Sequence, residues 1–179
     1  MAEGDTVHAT AARLRAAIGG RPLVRTDFRV PRFATADLAG RTLGTIEARG
    51  KHLLMRSDRG ETIHSHLGMD GAWRVYADGE RWRGPAFEVR AVLTVEGASA
   101  VGHRLRRLEV LATEREREVV GHLGPDPLAA DWDADEAVRR LAGAADRPLG
   151  EVLLDQTVIA GPGNVYRSEV CFLAGVDPR

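Results

Sequence analysis

Cysteine is almost missing from this sequence. The single residue Cys171 among 179 excludes an internal disulfide and any zinc cage built from several thiolates. No apolar run approaches the length of a membrane span, and the opening has no apolar stretch of the kind that marks a secretory leader. A cytoplasmic protein without a membrane partner is therefore expected. Excess charge of either sign is also lacking. A formal net charge of −1 does not announce a nucleic-acid binder and counts mildly against one, although distribution matters more than the sum. Lysine is the other scarcity: only Lys51 is lysine among 25 Lys+Arg. An ammonium is compact and can lose its proton, whereas a guanidinium is bulky and always charged, so this lone lysine is a candidate for chemistry. The competing reading is chance retention at a solvated position.

What remains is ordinary globular material, 44% hydrophobic and 28% charged, long enough for one domain or two small ones. Val7, Ala11, Leu14 and Ile18 recur at helical spacing, which predicts a helix from about Thr6 to Ile18, stopped by Gly19-Gly20. Such a docked helix would hold the first residues against the body. Strands are predicted over Pro22 to Val30, Thr42 to Ala48, Leu53 to Met55, Glu61 to Leu67, Ala72 to Tyr76, Glu88 to Glu96, Ala98 to His103 and Leu108 to Ala112. Within Glu61 to Leu67, Thr62, His64 and His66 face one way, and Ile63, Ser65 and Leu67 the other. Short strands at hairpin spacing suggest an antiparallel sandwich or barrel. Residues 77–86 read as an exposed loop, and Glu114 to Glu118 as a solvated charged segment. Gly124-Pro125-Asp126-Pro127 is a rigid loop near a domain boundary. Beyond it, Asp133 to Ala142, a segment opening at Pro148, and Val165 to Ala174 before Gly175 read as helices. The expectation is an α+β chain: residues 1–122 form a helix with an antiparallel β-sandwich, and residues 123–179 a helical domain.

The break Gly161-Pro162-Gly163-Asn164 between two helices is a candidate anion site. Glycines allow close backbone approach, and the next helix offers free N–H groups and its positive end. Asn164 would stand at the N-cap position; the other reading is a plain corner in which Asn164 merely caps.

At this point four motifs amount to a family resemblance. The run Leu153 to Tyr166, with Glu169 after it, resembles the helix-two-turn-helix signature of the formamidopyrimidine-DNA glycosylase and endonuclease VIII family. Ala2-Glu3-Gly4 resembles that family's Pro-Glu-Gly start, and Arg49-Gly50-Lys51-His52-Leu53-Leu54 its Arg-Gly-Lys hairpin. His66-Leu67-Gly68-Met69-Asp70-Gly71, ahead of Trp73-Arg74, resembles its strand-turn. The Glu-Gly-Asp-Thr-Val opening is most similar to the endonuclease VIII-like branch of actinobacteria.

The resemblance implies a bifunctional base-excision enzyme working on damaged double-stranded DNA as a monomer. An N-terminal amine attacks C1′ of a damaged or abasic nucleotide, forms a Schiff base, and elimination then cuts the strand. An α-amine titrates near ~7.7–8, against ~10.4 for lysine, which suits a nucleophile. The resemblance assigns the amine to Ala2 after removal of the initiator methionine, and sugar-ring opening and proton transfer to Glu3. Lys51 would hold a lesion-strand phosphate, and Gly163 and Asn164 would grip a neighbouring one. Met69 would fill the gap left by the flipped nucleotide. Arg104, with Arg106 and Arg107, forms the best basic patch for the opposite strand, or else a solvated strand edge.

Three departures shape the expectation. Ala2 replaces proline, so reduced or altered lyase activity is expected. Thr6 stands where many relatives carry a second glutamate, which favours oxidised pyrimidines over oxidised purines. The chain ends at Pro178-Arg179, where relatives continue into a four-cysteine zinc finger, so no cofactor is expected within these residues. Two other readings stay open. One is a non-catalytic damaged-DNA-binding relative. The other is a histidine-metal hydrolase using His64 and His66 with His52 or His103, against which stand satisfied structural histidines.

Overall fold

The computed structural model describes residues 2–179. Helix α1 (Gly4–Ile18) buries Val7, Ala11, Leu14 and Ile18, the stripe read from the spacing. It starts two residues earlier than expected because Val7 N–H already bonds the Glu3 carbonyl.

Eight strands follow: β1 (Arg25–Phe28), β2 (Leu43–Arg49), β3 (His52–Ser57), β4 (Glu61–His66), β5 (Ala72–Ala77), β6 (Val89–Val95), β7 (Ala98–His103) and β8 (Arg107–Ala112). β1 is shorter than the Pro22 to Val30 expected. Pro22 makes only an isolated bridge to Thr42, and Pro31 opens a turn of 3-10 helix. Proline has no N–H to give a ladder. The strands form two antiparallel four-stranded sheets, ordered β1-β6-β7-β5 and β2-β3-β4-β8. One apolar core joins both sheets and α1: Val7, Leu14, Ile46, Leu53, Met55, Ile63, Leu93 and Val95 are all buried in it. This is the β-sandwich with an N-terminal helix.

The second face of β3 and β4 is buried as well, which the alternation alone does not show. Thr62 and His64, on the face opposite Ile63 and Ser65, are fully covered. His64 is bonded between His52 of β3 and Glu109 of β8, and Thr62 meets Thr113 and Glu116 of the segment after β8. Glu114, Arg115, Arg117 and Glu118 are exposed as expected, but between a 3-10 turn (Thr113–Arg115) and helix α2 (Arg117–Val120) Glu116 turns inward. Its carboxylate takes both Arg56 guanidinium bonds at 2.7 and 2.6 Å, and the Thr62 hydroxyl at 2.5 Å.

The remainder is helical. Helix α3 (Ala134–Ala142) is capped by Asp133, which accepts from Glu136 N–H at 2.9 Å. Helix α4 (Leu149–Val152) follows Pro148, and α5 (Asn164–Ala174) ends at Gly175 with φ 65°. Gly163, rather than Asn164, is the N-cap of α5; Asn164 is its first helical residue, exposed at the surface. No helix among the described residues is long and apolar enough to cross a membrane.

Candidate active site

Glu3 occupies the N-cap position of α1 but does not cap it. Its side chain is 3% exposed and turns to another helix. Gly163 N–H donates to Glu3 Oε2 at 2.9 Å, Val165 N–H to Oε1 at 2.8 Å, and Tyr166 N–H to Oε2 at 3.3 Å. The free N–H groups and positive end of α5 thus hold a carboxylate from the other end of the sequence. This corrects one expectation. The turn is an anion site, but the Gly163 amide that was to face a phosphate is spent on Glu3. The exposed Asn164 remains free to reach outward.

Ala2 lies beside Glu3, half-buried, with its nitrogen donating to the Gly68 carbonyl at 3.3 Å. Gly68 belongs to the β4–β5 turn, and its own N–H donates to His66 Nδ1 at 3.0 Å. One residue on, Met69 stands 64% exposed at the tip of the same turn. The Gly68 bond therefore brings Ala2 to the Met69 turn, while Glu3, the next residue, is fixed to the N-terminus of α5. Gly68 carries φ 72°, and a Cβ there would lie 2.8 Å from Arg106 Cβ, so a side chain is excluded. Arg104, expected to contact DNA, is tied by its guanidinium to Glu88, which holds its pKa above the usual value. Arg107 pairs with Glu109 at 3.0 Å. Arg106 forms no ion pair among the described residues, and its side-chain stem packs against Gly68 of the Met69 turn.

Lys51 follows Gly50 in the two-residue turn joining β2 and β3, whose last paired residues are Arg49 and His52. Its ammonium is half-buried, without a carboxylate partner among the described residues. Burial pushes its pKa down, and only the nearby Glu3 charge opposes this. The turn meets two other backbones at close range. Gly4 N–H bonds the Gly161 carbonyl at 3.0 Å, and a Cβ on Gly4 would fall 2.9 Å from Gly161 Cα. A Cβ on Gly50 would lie 3.2 Å from Ala160 Cβ. Glu3, Lys51 and Asn164 thus sit on three chain segments that only glycine lets approach. At this junction Gly50 N–H donates to Asp126 Oδ2 at 2.6 Å. Sequence reading missed Asp126, taking it as part of a rigid loop; its only mark was a carboxylate between two prolines.

The histidines form a bonded row rather than an open ligand set. Glu109 Oε2 lies 3.1 Å from His64 Nδ1, and His64 Nε2 lies 2.8 Å from His52 Nδ1. An ionised carboxylate only accepts, so His64 Nδ1 carries the proton, and His64 Nε2 accepts from His52. Burial lowers the pKa of all of His52, His64 and His66, with His52 brought to about 3. All three are neutral, structural histidines at ordinary pH. His103 lies in the other sheet, near Tyr76. Among the described residues no group of three or more His, Cys, Asp or Glu is placed to hold a metal ion, which removes support from the histidine-metal reading. Cys171 is buried in α5, and residues 1–179 cannot supply the four thiolates of a zinc finger.

Comparison with known proteins identifies the family and the fold. Residues 1–111 match the formamidopyrimidine-DNA glycosylase N-terminal domain, and residues 123–179 the formamidopyrimidine-DNA glycosylase H2TH domain. The probable endonuclease 8 2 of Streptomyces coelicolor is 55% identical over 99% of this chain and 65% of its own length. The DNA-(apurinic or apyrimidinic site) lyase Nei2 of Mycolicibacterium smegmatis is 48% identical over 98% of this chain and 68% of its own. The chain thus spans about two thirds of the length of these relatives. The formamidopyrimidine-DNA glycosylase of Lactococcus lactis, in a structure with DNA containing an AP site, superposes with a TM-score of 0.81. It is 23% identical, with 98% of this chain and 70% of that one covered, and shows the shared fold. With both domain families matched in order and the motif turns meeting around Glu3, the chain belongs to the formamidopyrimidine-DNA glycosylase and endonuclease VIII family.

Proposed function

We propose that the chain is a bifunctional DNA glycosylase and AP lyase of base excision repair. It acts as a monomer in the cytoplasm on damaged double-stranded DNA, with oxidised pyrimidine or abasic nucleotides as substrates. The observation that carries this reading is a buried Glu3 carboxylate held by three backbone N–H groups, next in the chain to Ala2, whose nitrogen bonds the turn that carries Met69. Once the initiator methionine is removed, that nitrogen is a primary amine. It attacks C1′, the bond from C1′ to the base breaks, and the base leaves with a proton. The sugar ring then opens at O4′ as the imine forms, with Glu3 as the proton carrier. Loss of a C2′ proton expels the 3′ phosphate and cuts the strand. A preorganised carboxylate suits this sequence, because no side-chain reorientation is needed at each transfer.

The Lys51 ammonium, free of a protein carboxylate, is the phosphate holder in this reading. Exposed Asn164 grips the next phosphate, and Met69 fills the space of the everted nucleotide. Similarity to relatives described as an endonuclease 8 and an AP-site lyase supports the same class. A primary amine forms an imine as readily as the mechanism needs, but it lacks the rigid ring of proline; slower trapping is expected.

Borohydride reduction on a duplex with one abasic site tests the proposal. A covalent adduct is expected for the unsubstituted chain, with neither adduct nor cleavage for Glu3→Gln while binding persists. Binding without any adduct in the unsubstituted chain would instead identify a non-catalytic damage-binding relative.

A further inference from the structure

We propose that Asp126 is a positioning residue, a clamp from the helical part of the chain that fixes the β2–β3 turn and so sets where Lys51 stands relative to Glu3. This rests on the reading of Lys51 as a phosphate holder.

Asp126 is 3% exposed, and its two carboxylate oxygens are used differently. Oδ1 accepts Leu128 N–H at 2.9 Å, a local turn bond two residues along the chain. That bond alone would account for an aspartate in a loop. Oδ2 accepts Gly50 N–H at 2.6 Å, a partner 76 residues away and the residue directly before Lys51. A bond to a carboxylate is stronger than one to a neutral acceptor, and burial strengthens it further. The loop that carries Asp126 is itself fastened to the helical part. Gly124 N–H donates to the Gln156 carbonyl at 2.8 Å, and Ala160 N–H to the Pro125 carbonyl at 2.9 Å. The same region bonds α1, because Gly4 N–H meets Gly161 O at 3.0 Å. Glu3 and Lys51 are therefore both referenced to residues 156–161, one through Gly4 and α5, the other through Asp126.

Lysine needs such a reference more than arginine does. Its ammonium is a point charge on a flexible stem, without the planar fork that fixes a guanidinium against a phosphate. The position of the charge is then set by its backbone. Lys51 has no side-chain partner among the described residues to hold it, and the turn it sits on contains a glycine with φ 55°. Without Asp126, the Gly50 amide would be buried with no acceptor, and the turn would be free to swing.

The test uses the full chain with a duplex bearing a tetrahydrofuran abasic analogue. Binding is measured from 50 to 200 mM salt (about the range over which phosphate contacts show). Four proteins are compared: unsubstituted, Lys51→Ala, Asp126→Asn and the double variant. Lys51→Ala should reduce the slope of log affinity against log salt by about 0.9, the signature of one phosphate contact. Asp126→Asn, which turns an amide N–H or a neutral oxygen toward Gly50, should weaken binding by about tenfold and shift the slope the same way. In the Lys51→Ala background it should do nothing more. Equal losses from Asp126→Asn in both backgrounds would overturn the clamp. An unchanged slope in Lys51→Ala would instead overturn the phosphate role of Lys51. Amide exchange at Gly50 gives a decision without DNA and without a variant that must fold. Strong protection in the unsubstituted chain is expected, and a Gly50 amide exchanging like a solvated turn would sink the clamp.

Discussion

Mild acid should destabilise this protein well before its carboxylates are protonated, and the histidine row supplies the magnitude. His52 is held at about 3 by burial and by His64, His66 and His122 beside it, against 6.5 in an unfolded chain. His64 and His66 are lowered too, chiefly by burial. A lowered pKa means that the folded protein refuses protons that the unfolded chain accepts. Stability is therefore full above pH ~6.5 and falls as pH drops from there toward the folded value. For His52, whose window reaches to about pH 3, the cost is about 1.4 kcal/mol per pH unit. Between pH 6.5 and 5.0, His52 alone removes about 2 kcal/mol, somewhat less because part of its ring meets solvent. His64 and His66 act in the same direction. Against a typical stability of ~5–15 kcal/mol this is a large share. Glu109 and Glu116 cannot account for the loss: burial would raise them, but bonds from Arg107 and His64, and from Arg56 and Thr62, hold both below the usual carboxylate range. Urea titrations at pH 7.5, 6.5, 5.5 and 5.0 read the effect directly, with midpoint and slope reported separately. His52→Gln, which keeps a polar partner for His64 but cannot titrate, should flatten the pH dependence by about one proton per molecule. Stability unchanged from pH 7.5 to 5.0, or an identical pH slope in His52→Gln, would refute the reasoning.

Two further changes probe the seams around the site. In Gly163→Ala the new Cβ would stand 2.7 Å from the Glu3 carboxyl carbon; φ there is −128°, so contact rather than backbone strain is the cause. A loss of about 1–3 kcal/mol is expected, with borohydride trapping falling further than stability, as measured by urea midpoint and adduct yield. Glu116→Ala removes both Arg56 bonds and the Thr62 bond, while Glu47 at 2.7 Å remains with Arg56. About 2 kcal/mol of destabilisation is expected, with trapping per folded molecule unchanged because the pair lies away from Glu3.

The elements of this protein were legible in the sequence because they obey local periods. The stripe Val7, Ala11, Leu14, Ile18 fixes α1, and the alternation Val89, Ala91, Leu93, Val95 fixes β6, since a 3.6-residue or 2-residue repeat places side chains on one face whatever the rest of the chain does. The turn at 161–164 was legible for the same kind of reason, glycine and proline being incompatible with a continuous helix. Motif order supplied the family, and with it Ala2, Glu3, Lys51, Met69 and Asn164.

Local periods do not report which distant loop a polar group will meet. Glu3 read as a residue ahead of a helix, and Gly163 as part of a phosphate turn; only the fold joins them, across 160 residues. The alternation of β4 gave Thr62 and His64 a face but not its cover, so Glu116 passed as a solvated charge until α2 folded over it. Asp126 lay in a loop without periodicity at all, and its buried bond to Gly50 exists because three glycine backbones come together there. A single sequence writes its own secondary structure through side-chain period and backbone freedom. It was the packing of one element against another that chose the partners of Glu3 and Asp126, because an unpaired buried carboxylate or amide is costly and must find whatever complementary group the fold brings near.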